Sequence, residues 1–107
     1  MGEFLIIETR DAADHRDTER TLDLACGLSR AGNATTVLLT ENGAFNARRS
    51  SHYATGKAVK DGVRVLVDSF ALGERGIVDE DLQEAISPGN MDSVVDHLIN
   101  GSHVIWR

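Results

Sequence analysis

The chain is poor in several things, and each shortage closes a route. Its 107 residues include one cysteine, one proline and 5% aromatic residues. A lone cysteine allows no disulfide within the chain, so folding must rest on an apolar core. It also leaves thiol chemistry a single candidate, Cys26. One proline beside 41% hydrophobic residues argues against a disordered or low-complexity chain. Positive charge is scarce: 11 Lys and Arg face 17 Asp and Glu, a net charge of -6. Nucleic acid and acidic membrane surfaces are therefore not expected partners, since binding phosphates needs a basic stripe. No apolar run approaches the roughly 20 residues of a bilayer span. The N-terminus has no basic segment leading a long apolar one, which together with the single thiol predicts a cytoplasmic protein.

Missing motifs narrow the chemistry further. Neither G-x-x-x-x-G-K-[ST] nor G-x-G-x-x-G occurs, so no cofactor is expected. His15, His52, His97 and His103 are scattered, and Asp11-Ala12-Ala13-Asp14-His15 has no established ligand spacing, so no metal is expected either. Ser69 lacks the G-x-S-x-G elbow of a hydrolase nucleophile.

What the chain does contain is a regular alternation. Phe4-Leu5-Ile6-Ile7, Thr35 to Leu39, Val63 to Val67 and His103 to Trp106 read as strands, the first three as short apolar runs buried on both faces. A helix is predicted over Thr18 to Ala31, ended by Gly32. Its apolar arc of roughly 200° exceeds the ~100° needed to cover a sheet. The excess meets either a neighbouring helix of the same chain or another subunit. A second helix is predicted over Asn90 to Ile99, with Asn90 as cap and Met91, Val94, Val95, Leu98 and Ile99 on its apolar face. Weaker signals predict helices over Ser51 to Lys60, with Ala54, Ala58 and Val59 sharing a face, and over Asp79 to Ile86. Ser87-Pro88-Gly89 then forms a turn. Buried strands alternating with helices make residues 1–107 one α/β domain: three layers, a mostly parallel sheet flanked by helices on both faces.

In such sheets ligands meet the loops at the carboxyl ends of the strands. Those loops hold Thr9-Arg10-Asp11, Thr40-Glu41-Asn42-Gly43 and Asp68-Ser69-Phe70, with Arg75 and Arg48-Arg49 as possible sources of positive charge. The bland account is that polar residues belong where strands return to water. The functional one is a binding edge of Thr9, Asn42, Gly43, Asp68, Ser69 and Arg75. In it Gly43 permits close approach and Arg75 grips an anion by paired hydrogen bonds.

The order of motifs resembles the DsrE/DsrF-like family. A helix ends in glycine before the second strand, Asn42-Gly43 follows that strand, Asp61 to Val67 reads D-G-V-x-V-x-V, and Arg75-Gly76-Ile77 closes the next loop. The resemblance runs over nearly the whole chain and implies a flavodoxin-like α/β fold. It also implies assembly as a dimer, trimer or hexamer, or beside a cysteine-bearing paralogue. Sulfur-carrying members place a persulfide cysteine at the end of the third strand; here that position is Asp68. A carboxylate cannot hold a sulfane sulfur. The resemblance therefore implies, first, a non-catalytic subunit or binding module of a sulfur-relay type assembly. A second reading is a ligand-binding protein or enzyme using Asp68 and Arg75. A third, ranked last, is a sulfur carrier acting through Cys26.

Overall fold

A computed structural model describes residues 2–51, 53 and 55–107. Five strands, β1 (Glu3–Glu8), β2 (Ala34–Leu39), β3 (Arg64–Asp68), β4 (Ser87–Gly89) and β5 (His103–Trp106), form one sheet. Their order is β4-β3-β2-β1-β5, and every pairing is parallel. Alternation along the strands sorts the core into two layers. Ile6, Val37, Leu39, Val65 and Val67 face one side, packed with Leu22, Ala25 and Cys26 of α1 (Asp17–Arg30) and Ala58 of α2 (Thr55–Lys60). Leu5, Ile7, Leu38 and Leu66 face the other side, under Val94 of α4 (Asp92–Ile99). Helices thus flank a parallel sheet on both faces, as the strand pattern predicts.

The long elements fall where periodicity places them. Gly32 and Gly101 end α1 and α4 in the left-handed conformation, with φ of 93° and 78°. Asn90 accepts a hydrogen bond from the Asp92 amide at 2.9 Å, but the cap position of α4 falls one residue later, at Met91. Short elements differ. Asp79 to Ile86 is not an α-helix; only Asp79–Asp81 winds, as a 3-10 turn. Leu82 then forms an antiparallel bridge with Arg48, which draws the segment out of helical geometry. Ser87-Pro88-Gly89 is strand β4 rather than a turn, paired with Leu66, Val67 and Asp68. A proline is tolerated there because β4 is an edge. The predicted helix over 51–60 begins only at Thr55, and within it Ala58 is buried while Val59 faces out; His52 and Ala54 lie outside the described residues.

Tertiary packing decides two faces that periodicity leaves open. The wide apolar arc of α1 is taken up inside the monomer: Leu24 and Leu28 pack against the core that holds α2. Of the predicted apolar face of α4, Val94 is buried, while Val95, Leu98, Ile99 and Met91 just before the helix are exposed. Among the described residues, no helix is long and apolar enough to cross a membrane.

Candidate functional site at the carboxyl edge of the sheet

The strand ends carry a connected set of polar groups. β3 stops at Asp68, whose backbone is extended (φ -66°, ψ 117°) and whose Oδ1 accepts from the Phe70 amide at 3.1 Å. Asp68 is thereby the N-cap of α3 (Ser69–Glu74), a helix where sequence suggests only a loop. Its other oxygen, Oδ2, accepts from the Thr40 hydroxyl at 2.7 Å, and the residue is 5% exposed. Both carboxylate oxygens are therefore committed to the protein itself. Ser69 donates to the Gly89 carbonyl and ties α3 to β4.

After β2 the chain turns sharply at Glu41, which takes a left-handed φ of 50°, into a 3-10 segment, Glu41–Ala47. This turn lays Gly43 on the end of β1. A β-carbon at 43 would stand 2.1 Å from the Glu8 carbonyl oxygen. The close approach anticipated for Gly43 is thus made to the protein's own backbone rather than left open for a ligand. Arg75 is likewise engaged from within: Nε and Nη2 donate to Asn42 Oδ1 at 3.2 and 3.0 Å, and Nη1 to the Ala71 carbonyl. Its guanidinium lies 5.8 Å from the Phe45 ring centroid. The paired donors that would suit an anion here hold the Asn42 side chain.

Thr9 sits at the other end of the edge. The chain progresses from β1 through β4 and then returns to the far side of β1, so the topological switch lies between β1 and β5. There the Thr9 amide and hydroxyl both donate to the Arg107 carbonyl. Of the six residues proposed from sequence, Asn42 and Arg75 come together directly. Thr9 and Ser69 fasten the two flanking strands, and Gly43 and Asp68 are internal supports.

Sequence reasoning missed the buried polar group behind this edge. Glu8 is fully buried at the end of β1; it accepts from the Thr21 hydroxyl at 2.8 Å and the Arg10 amide at 3.1 Å. The Arg10 guanidinium lies 3.6 Å away. Asn46, also fully buried, bridges the Ala12 amide and the Arg10 carbonyl. Gln83 donates to the Asn46 and Arg48 carbonyls and accepts from Thr55. The signal was a charged residue directly extending the Phe4 to Ile7 run. Outside this layer, a cavity of 280 Å³ opens between Asp11, Ala12, Ala13 and Glu19 on one side and Arg48, Ser50 and Ser51 on the other. Arg48 stacks 4.8 Å from the Phe45 centroid, while Arg49 donates to the Leu82 carbonyl, so the arginine pair does not join Arg75 as one positive cluster. A larger open depression of 500 Å³ lies on the amino edge, lined mostly by Gly2, Gly32, Gly101 and Ala34, with few groups able to fix a ligand. Among the described residues, no three His, Cys, Asp or Glu side chains are grouped to hold a metal.

The fold is shared with solved structures. It matches the ychN protein from E. coli with a TM-score of 0.85 at 14% identity, covering 100% of both chains. This chain has the ychN fold. The protein of unknown function MTH1491 from Methanobacterium thermoautotrophicum matches with a TM-score of 0.81 at 20% identity over 100% of both chains. BT1422 from Bacteroides thetaiotaomicron, also of unknown function, gives 0.77 at 13% identity, covering 98% of this chain and 94% of its own. No family model matches the chain, and no curated protein matches it.

Cys26 and Tyr53 lie within the α1 layer, each 2% exposed. Burial pushes the Cys26 thiol up, and the neighbouring Asp61 carboxylate raises it further against the opposing pull of Lys57 and Arg30. Burial also lifts the Tyr53 phenol above its ordinary range, with the Glu8 charge adding to it. Both groups hold their protons more tightly in the folded state. The unfolded chain therefore ionises first, and stability is full below about pH 8.5 and falls as pH rises through the cysteine and tyrosine ranges. Urea midpoints measured at neutral and alkaline pH should show this decline in the wild type. Cys26→Ala and Tyr53→Phe should each flatten it; an unchanged slope in both would contradict the assignment.

Proposed function

We propose that this chain is a DsrE/DsrF-like protein that does not itself carry sulfur, and that it serves as a non-catalytic subunit or binding module of an oligomeric intracellular assembly. The observation that carries this reading is the state of the two groups that persulfide chemistry would need. Position 68, where sulfur-carrying members of the family place cysteine, holds a buried carboxylate with both oxygens hydrogen-bonded. The single thiol, Cys26, is buried in α1 with its pKa raised, so its thiolate is scarce at neutral pH. The shared fold supports the family resemblance, and through it assembly with further copies or with a cysteine-bearing paralogue.

The binding surface we assign to this module is the carboxyl edge. Its reachable groups are Asn42, Ser69 and the 72% exposed ring of Phe70, backed by Arg75; Asp68 and Gly43 hold the edge in shape. The enzyme reading, with Asp68 as base, ranks second, because a base must reach its substrate, and Asp68 is 5% exposed with each oxygen already accepting a hydrogen bond from the protein.

Incubation with a persulfide donor, followed by intact-mass measurement, tests the proposal. The expected result is an unmodified wild-type protein over the time in which an exposed cysteine is loaded. Rapid stoichiometric addition of sulfur that disappears in Cys26→Ser would overturn it. Thermal-shift screening with small anions and nucleotides tests the edge, and Phe70→Ala should abolish any shift found.

A further inference from the structure

We infer that α4 and the outer edge of β5 form a pairing face for a second copy of this chain. The inference rests on the assembly part of the reading above and goes further by naming the surface. Among the described residues, eight large hydrophobic side chains are exposed, and five of them fall here: Met91, Val95, Leu98, Ile99 and Trp106.

Their arrangement is ordered. Met91, Val95, Leu98 and Ile99 stand at i, i+4, i+7 and i+8, so they make one stripe along α4. Val94, three residues after Met91 and four before Leu98, borders this stripe and packs on the sheet, while the other four side chains stay exposed beside it. Val104 of β5 packs in the layer beneath α4, and Trp106, two residues on, emerges on the same face of the sheet with 62% of its surface exposed. Among the described residues β5 is moreover the last strand of the sheet, paired with β1 alone. Its outer edge carries none of the proline or lysine that commonly blocks strand pairing.

The area decides the occupant. The exposed fractions, weighted by side-chain areas of roughly 150–250 Å², leave on the order of 500 Å² of apolar surface in one patch. A standard interface covers about 800 Å² per partner, and homodimer interfaces are about 65% apolar, which calls for about 520 Å². The patch is the size of the apolar part of one such face. A two-fold axis sets the same stripe against itself, so one face suffices for both partners. The carboxyl edge is left open, because Asn42, Ser69 and Phe70 lie across the sheet on the β2, β3 and β4 side.

Light scattering and sedimentation at micromolar concentration provide the test, on the wild type and on Leu98→Glu and Ile99→Lys. Both substitutions fall on exposed positions, so circular dichroism and thermal midpoints should match the wild type. The wild type should form a dimer or a multiple of one. Each charged variant should dissociate, with pairing weakened about 100-fold by a charge left unpaired in an apolar interface. If the wild type associates and both folded variants associate equally well, this face is wrong while the assembly reading stands. A wild type that stays monomeric overturns both, including the case in which it instead captures lipid vesicles.

Discussion

Replacing Gly43 by alanine is expected to destabilise the protein by about 3 kcal/mol or more and to lower its thermal midpoint by more than about 10 °C. The added carbon would meet the Glu8 carbonyl oxygen at 2.1 Å, its carbon at 2.9 Å and Thr9 Cα at 3.4 Å. All three are backbone atoms, so no side-chain rotation relieves the clash. The Glu8 carbonyl also accepts the Thr40 amide at 3.0 Å, which locks the end of β1 to the turn that carries Gly43. Relief therefore requires parting β1 from the 3-10 segment, and with it the support behind Asn42 and Arg75. Gly73→Ala is the matched control. Nothing lies within 4 Å of a β-carbon there, and alanine in a helix should be neutral or stabilising by up to ~1 kcal/mol. Thermal and urea melts of the two variants decide the matter; equal stability would refute the packing of Gly43 on β1.

Removing the buried carboxylate is the second large effect. Glu8→Ala should cost about 3 kcal/mol, through a cavity at a fully buried site and the loss of acceptors for Thr21 and the Arg10 amide. The Arg10 guanidinium would lose the carboxylate 3.6 Å away, though its partial exposure moderates that share of the loss. Glu8→Gln keeps the shape and one acceptor and should cost about 1 kcal/mol. The pair separates charge from packing. If alanine and glutamine variants melt together, packing at this site contributes little and the charge dominates. If both melt with the wild type, Glu8 is not the anchor of the β1–α1 junction.

Much of this architecture was legible in the residues, and the reasons differ by element. α1 and α4 repeat their apolar positions over enough turns for the 3.6-residue period to stand out, and glycine stops both. β1, β2 and β3 are continuous apolar runs because a parallel sheet is covered on both faces. By contrast, β4 has three residues, Ser87-Pro88-Gly89, and local chemistry makes that triplet a turn. Only the unpaired edge of β3 beside it recruits the segment as a strand. The Asp79 to Ile86 stretch carries helix-start residues, but the Leu82 bridge to Arg48 outweighs their weak propensity.

The site divides in the same way. Sequence alone determined the fold class, the single thiol, the carboxylate at position 68 and the polar loops at the strand ends, because these follow from residue identity and short-range period. What those groups do to one another depended on tertiary structure. Asp68 as helix cap, Arg75 spent on Asn42, Gly43 pressed on β1 and Glu8 buried beneath Thr21 each join residues far apart in the chain. How much of the α4 face is covered was also beyond the sequence. Periodicity shows that a helix has an apolar face, whereas the packed structure shows Val94 of that face buried on the sheet and its four neighbours exposed.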